Sequence, residues 1–401
     1  MNRDAGLVSI PAGSMYVLRI LLFLATVLVV VVGGHVYLYR RLFRDTTSDR
    51  RIRLLGALAL TVAGASLFLA RSVFSRIHTE WGDALAFAAW CWMGVGLYLG
   101  MALAVFHLWR RMDAWRRART GAPAVSPERR QFLARAAVGG AGLVALGFSA
   151  YGVRRAFAPP KITELAVRIP RLHRAFDGLR IVQVSDVHIG DVLGTPFLED
   201  MVRRCNALRP DLVAITGDLV DGRVSQLGST ISTLQGLRSR WGSYFVTGNH
   251  EYYSGDVEWT AALERMGLTV LRNRTVTLRD GDARLDLVGV DDYGQKERPR
   301  GWDLGAALAG RDPEHPAVML AHQPRAVEDA VAKGVGLQLS GHTHGGQLFP
   351  ITGVVAALYT YSAGLYRVGD GHVYVHRGTG FWGPPMRIGS PPEIAAITLI
   401  A

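Results

Sequence analysis

Five short clusters in the second half of this 401-residue chain carry side chains that could hold metal ions. They are Asp186-Val187-His188, Gly217-Asp218 followed by Asp221, Gly248-Asn249-His250-Glu251, Ala321-His322-Gln323, and Gly341-His342-Thr343-His344-Gly345-Gly346-Gln347. Imidazole together with carboxylate or amide oxygen suits Mn, Fe or Zn rather than Ca. None of the clusters contains cysteine, which argues against a purely structural zinc site. The only cysteines, Cys91 and Cys205, cannot build a disulfide framework or a four-cysteine site. No His-Glu-x-x-His motif occurs, so a zinc peptidase of that type ranks last.

Metal ligands far apart in sequence must be gathered by regular elements. Strand-like apolar runs cover Leu179–Val184, Leu212–Ile215, Ser243–Val246, Leu285–Val290, Ala317–Leu320 and Gly336–Leu339. Helix-length segments such as Pro196–Leu208 and Asp256–Met266 lie between them. This alternation predicts a layered α/β fold. Such folds place ligands at the carboxyl ends of strands, and five of these strand ends deliver Asp, His or Asn.

The first half has a different character. Residues 1–160 hold 20 Lys+Arg against 7 Asp+Glu, and residues 161–401 hold 25 against 26. The overall charge of +12 is therefore no nucleic-acid signal, and no nucleic-acid partner is expected. Four apolar stretches, near 20–39, 54–70, 84–109 and 136–153, contain no charged residue. Each has about the length needed to cross a bilayer as a helix. The connections after the first and third stretches are rich in arginine, and the second carries only Arg71 and Arg76. By the positive-inside rule the first and third connections are cytoplasmic, which places everything after Arg155 outside the cytoplasm. The run Glu128-Arg129-Arg130-Gln131-Phe132-Leu133 resembles a twin-arginine export motif, or else is an ordinary basic anchor. Either reading exports the C-terminal half of the chain.

The ordered clusters resemble the calcineurin-like metallophosphoesterase superfamily. The resemblance covers roughly Ile181 to Ile400, and the tail from Arg377-Gly378 to Pro392-Glu393-Ile394 is similar to a membrane-associated bacterial branch. It implies a metallophosphoesterase β-sandwich flanked by helices over residues 159–401, behind a transmembrane region of about four helices over residues 1–158. It also implies two divalent cations (Mn, Fe or Zn). Asp186, His188 and His344 hold the first, Asn249, His322 and His342 the second, and Asp218 bridges both. Hydroxide bridging the two metals would attack phosphorus. His250 would face the substrate as a catalytic group, paired with Asp221, although Asp221 can also be read as a turn residue before Gly222. Protein-phosphatase relatives carry an arginine directly after that aspartate. Here Gly222 intervenes before Arg223, so no phosphate clamp carries over.

The expected protein is a multi-pass protein of the bacterial inner membrane. It hydrolyses a phosphoester, first of all a phosphodiester or a membrane-linked phosphate, and its partners are that substrate and the lipid bilayer. The competing reading is a membrane scaffold or transporter-associated subunit that keeps the domain as a phosphate-binding module. Asp291 and Asp292 are expected to be turn residues, Cys205 a core residue, and His35, His78 and His107 interfacial.

Overall fold

The computed structural model describes residues 12–73, 80–123, 125–298 and 301–401. Arg76 and His78 lie outside the described residues. The chain divides into two compact units, Met1–His78 with Trp92–Gly147, and Thr79–Cys91 with Phe148–Ala401.

Four long helices dominate the first 156 residues: α1 (Ala12–Tyr39), α2 (Arg50–Ser72), α3 (Glu80–Thr120) and α4 (Pro127–Ala156). All four are long and apolar enough to cross a membrane. α3 has 41 residues and so runs well beyond its uncharged stretch. Their starts are set by local chemistry. The Asp49 carboxylate accepts the Arg51 and Ile52 amides at the start of α2, and Pro127 opens α4, where its missing N–H costs nothing. His35 is held on both ring nitrogens. Its Nδ1 donates to the Val31 carbonyl at 2.8 Å, and its Nε2 accepts from Trp92 Nε1 at 3.0 Å.

The second unit is built on two mixed six-stranded sheets. Its elements run β1 (Lys161–Arg168), β2 (Arg180–Val184), α5 (Thr195–Ala207), β3 (Leu212–Ile215), α6 (Val224–Ile231), β4 (Ser243–Phe245), α7 (Asn249–Ser254), α8 (Asp256–Arg265) and β5 (Thr269–Val270). There follow β6 (Arg274–Asp280), β7 (Ala283–Gly289), α9 (Leu304–Leu308), β8 (Ala317–Leu320), α10 (Val327–Ala332) and β9 (Leu337–Ser340). α11 (Ile351–Leu358), β10 (Gly364–Val368), β11 (Gly371–Val375) and β12 (Glu393–Ile400) complete the chain. The strand orders are β1-β12-β2-β3-β4-β5 and β10-β11-β9-β8-β7-β6.

Period-two alternation explains why the runs are apolar throughout. Leu212 and Ala214 point into the core that also holds Leu287, Val318, Leu320 and Leu339 of the other sheet. Val213 and Ile215 point the opposite way, towards Leu198, Met201, Cys205 and Trp259 of the covering helices. On the far side of the second sheet Val288 and Met319 meet Leu304, Ala307 and Ala330. The result is helices, sheet, sheet, helices, with both faces of each sheet buried. Strands β2, β3 and β4 run parallel, as do β7, β8 and β9, so each set of carboxyl ends shares a rim.

Candidate metal centre

Every cluster singled out as a candidate metal site lies just beyond a strand on that rim. Asp186 and His188 follow β2, Asp218 follows β3, Asn249 follows β4, His322 follows β8, and His342 and His344 follow β9. Five of these residues (Asp186, His188, Asp218, His342 and His344) have positive φ, between 50° and 72°. Left-handed backbone at non-glycine residues is uncommon and collects at functional sites. It lets each chain turn at once after its strand and aim a side chain inward. Gly248 and Gly341 permit close approach, since a Cβ there would run into the carboxylates of Asp218 and Asp186.

The expected ligands form two sets, and a third group that could hold a metal, His188 with Asp221 and His250, adjoins them. Ligand atoms of Asp186, His188 and His344 lie within 4.8 Å of one another, and so do those of Asp218, His322 and His342. Asp218 stands between the sets. Its Oδ2 is 3.2 Å from His322 Nε2 and 3.9 Å from His188 Nε2. Asp186 Oδ1 lies 3.3 Å from His344 Nε2. Asn249 is tied to the same place because the next amide, His250 N–H, donates to Asp218 Oδ1 at 2.8 Å.

Partners behind the rings fix their orientation. His322 Nδ1 donates to the Thr216 carbonyl at 2.8 Å, which leaves Nε2 facing the cluster. Asp221 divides its carboxylate: Oδ2 takes His188 Nδ1 at 3.1 Å, and Oδ1 takes His250 Nδ1 in a short contact. Asp221 is therefore no idle turn residue. It orients one cluster histidine and the one histidine that stands apart from both sets.

Charge is distributed accordingly. Burial alone would depress the His250 imidazole, but the carboxylates of Asp218 and Asp221 outweigh it and lift its pKa to about 9. His322 is likewise raised against its burial, chiefly by Asp218. Burial holds His342 and His344 down at about 4, so both rings are neutral. Asp186, Asp218 and Asp221 are pulled below the usual carboxylate range by the surrounding histidines, against the opposing effect of burial.

These residues fit divalent cations. The Asn249 Oδ1 is buried and accepts no hydrogen bond, at a cost of about 1–3 kcal/mol unless something occupies it. His188 Nε2 faces His344 Nε2 at 3.1 Å, and His342 Nδ1 faces His322 Nε2 at 3.2 Å. Lone pairs so opposed repel unless a proton or a cation stands between them. The protons now drawn onto the histidines supply positive charge that bound cations would replace.

Several supporting residues carry no motif of their own. The buried Glu251 carboxylate accepts the amides of Gly248, Asp218 and Leu219 and so locks two ligand loops together. Burial first, then the Asp218 charge, raises it to about 7. Arg387, also buried, donates to the Arg377 and Gly380 carbonyls and sets a guanidinium nitrogen 3.1 Å from His344 Nδ1. The tail binds back to the first ligand loop, with Thr379 N–H on the Ser185 carbonyl and Gly380 N–H on that of Asp186. Trp382 and Tyr253 flank His250, with ring centroids 5.9 and 5.3 Å away. Expected as turn residues, Asp291 and Asp292 are instead buried. Asp291 pairs with Arg272 at 2.9 Å and Asp292 accepts from Gln323 at 2.8 Å. Both follow β7 on the same rim, where a turn would normally be solvated.

Known proteins are similar to this chain. The family profile described as calcineurin-like phosphoesterase matches residues 179–346. A "Transmembrane protein with metallophosphoesterase domain" of Danio rerio is 36% identical and aligns over 96% of this chain and 90% of its own. One with the same description from Bos taurus is 40% identical over 65% of this chain and 61% of its own. A metallophosphoesterase of Helicobacter pylori strain J99 is 36% identical over 64% of this chain and 69% of its own. A relative similar along nearly the whole length, together with the motif order and its placement on the rim, leads to one conclusion. The chain belongs to the calcineurin-like metallophosphoesterase family, whose chemistry is metal-dependent hydrolysis of phosphoesters.

Proposed function

We propose that this protein is a membrane-anchored phosphoesterase that uses two divalent cations (Mn, Fe or Zn) to hydrolyse a phosphodiester or a membrane-linked phosphate. The observation that carries the two-cation reading is the position of Asp218 Oδ2 between the two ligand sets, beside an Asn249 carbonyl oxygen that has no protein partner. One carboxylate then serves two cations and offsets their mutual repulsion. When bound, such a pair supplies Lewis-acid polarisation of the phosphoryl group and of the attacking water.

The chain's own residues do the rest. Asp186, His188 and His344 form one ligand set. Asn249, His322 and His342 form the other, and Asp218 belongs to both. His250 stays outside both sets, charged at neutral pH and held through Nδ1 by Asp221. Its Nε2, 3.9 Å from Asp218 Oδ2, would donate a proton to the departing oxygen or stabilise charge on phosphorus.

The surroundings favour a lipid-linked substrate. α11 begins four residues after Gln347 and is wholly apolar but for one Thr and one Gly, yet none of its residues is buried. Val354 and Leu358 are exposed, as are Phe349 beside them and Trp382 next to His250. Phe349 N–H donates to the Ile388 carbonyl, and Ile388 packs on Gly152 in the last turns of α4. The exposed apolar rim of the site thus adjoins the end of the fourth apolar helix. Exposed apolar patches of this kind mark membrane or ligand contacts. Arginine counts support a position for this unit outside the cytoplasm.

The test uses the full chain in detergent or nanodiscs, loaded with Mn²⁺. Hydrolysis of bis-p-nitrophenyl phosphate is expected to exceed that of the monoester, and a short-chain phospholipid phosphodiester to be preferred to both. Metal-loaded protein inactive on all three would favour a phosphate-binding module instead. Protease accessibility in intact cells checks the side of the membrane.

A further inference from the structure

The arginine-rich end of the first unit borders an open cleft of about 680 Å³. Four segments wall it: the π-helical turn Arg40–Arg44 with the loop leading to α2, the first turn of α2, the later turns of α3, and the start of α4. They bring Arg41, Arg44, Arg53, Arg110, Arg111 and Arg130 to one space. Only two carboxylates, Asp45 and Glu128, line it with them, so six guanidiniums against two carboxylates leave four positive charges in excess.

Internal pairing does little to relieve this. Asp45 is already engaged by Arg41 at 2.6 Å. Arg53 turns to the carbonyls of Thr47 and Arg44. Among the described residues, Arg44, Arg110, Arg111 and Arg130 have no carboxylate within ion-pair distance. Among the described residues the buried Arg41 Nε has no hydrogen-bond partner. The walls are also tied together, because Gln131 and Arg135 of α4 both donate to the Thr46 carbonyl, at 3.1 and 3.0 Å.

A topological signal alone requires arginines near helix ends, not arginines that converge. Splayed into solvent they would serve orientation equally well and repel one another less. Guanidinium forks match phosphate oxygens two at a time. Basic pockets between apolar helices are suited to phosphate-bearing headgroups. The run Glu128-Arg129-Arg130 gains a place here as well, since Glu128 and Arg130 form part of the wall.

We infer that this cleft binds a phosphate-bearing anion of at least two negative charges, presented by an anionic phospholipid or by a soluble phosphorylated compound. The inference does not rest on the phosphoesterase reading. Its lipid arm rests on the membrane reading, and its soluble arm does not.

The experiment takes the full chain, purified in detergent, and follows retention by native mass spectrometry. The probes are cardiolipin, phosphatidylcholine and inorganic pyrophosphate. The wild type is expected to retain cardiolipin or pyrophosphate, but not phosphatidylcholine, and to release it as salt rises. Retention of cardiolipin alone assigns a lipid headgroup, and retention of pyrophosphate alone assigns a soluble ligand. The pair Arg110→Gln and Arg111→Gln is expected to weaken retention about thirtyfold. Arg110→Lys with Arg111→Lys is expected to keep most of it, with helicity by circular dichroism as the check on folding. If the glutamine pair unfolds, the salt dependence of the wild type and the lysine pair decide. Equal retention of cardiolipin and phosphatidylcholine with no retention of pyrophosphate, or unchanged binding in a folded glutamine pair, overturns the inference.

Discussion

The helical unit and the sandwich unit are both rich in apolar side chains but show them to opposite surroundings. In α1 and α2, Val29 and Leu55 are 70% and 66% exposed. In β3 no residue from Leu212 to Ile215 exceeds 1%. The first pattern is stable only if the solvent is itself apolar, and the second is what water demands. Charges are handled in contrasting ways too. The helical unit gathers arginines without acids to match, whereas the sandwich buries carboxylates and surrounds them with histidines. In one the compensating charge has to come from outside the chain. In the other, protons on imidazole supply it until cations do.

Four substitutions put that contrast at risk. The largest effect is expected at the site. His250→Gln should lower kcat by about 10²–10⁴-fold while metal content, read by elemental analysis, stays the same. Loss of metal with the activity would make His250 a ligand instead. Next comes the sandwich core: Trp259 is fully buried beside the first sheet. Trp259→Ala should cost about 3–5 kcal/mol, seen in denaturant unfolding of the sandwich, with membrane extraction behaviour unaltered. Third, Leu58 in α2 is 61% exposed. Leu58→Arg should add about 2.5–3.5 kcal/mol to insertion, measured by glycosylation mapping or by the membrane-bound fraction. A fully inserted, stable variant would count against a lipid-facing α2. The smallest effect concerns Asp221, which orients rather than binds. Asp221→Asn should weaken metal affinity by about 10–100-fold and flatten the His250-dependent limb of the pH–rate profile. A variant that alters neither would return Asp221 to a mere turn.

Much of this contrast can be read from residue order. Charge-free runs of helical length and arginine-rich connections announce the four helices, and strand-length apolar runs ending in Asp, His or Asn announce the rim. The seven ligand candidates are legible because each follows a strand directly, and strand ends in a layered α/β fold converge. Less legible are the edge strands β1, β6 and β10, whose half-exposed residues lack a continuous apolar signal. Nor does residue order reveal the burial of Asp291. Its partner Arg272 lies beyond another strand, and no local pattern shows that a carboxylate after a strand will meet a guanidinium.

Residue order alone dictates the kind of atoms available and the succession in which they come: oxygen and nitrogen donors at strand ends, behind helices with no polar face. Only the folded chain decides how those atoms are shared. That Asp221 serves two rings, that Glu251 ties two loops, that Arg387 reaches His344, and that six arginines of the helical unit meet at one cleft are facts of distance. Covalent order constrains them only weakly, because each depends on segments that fold together from far along the chain.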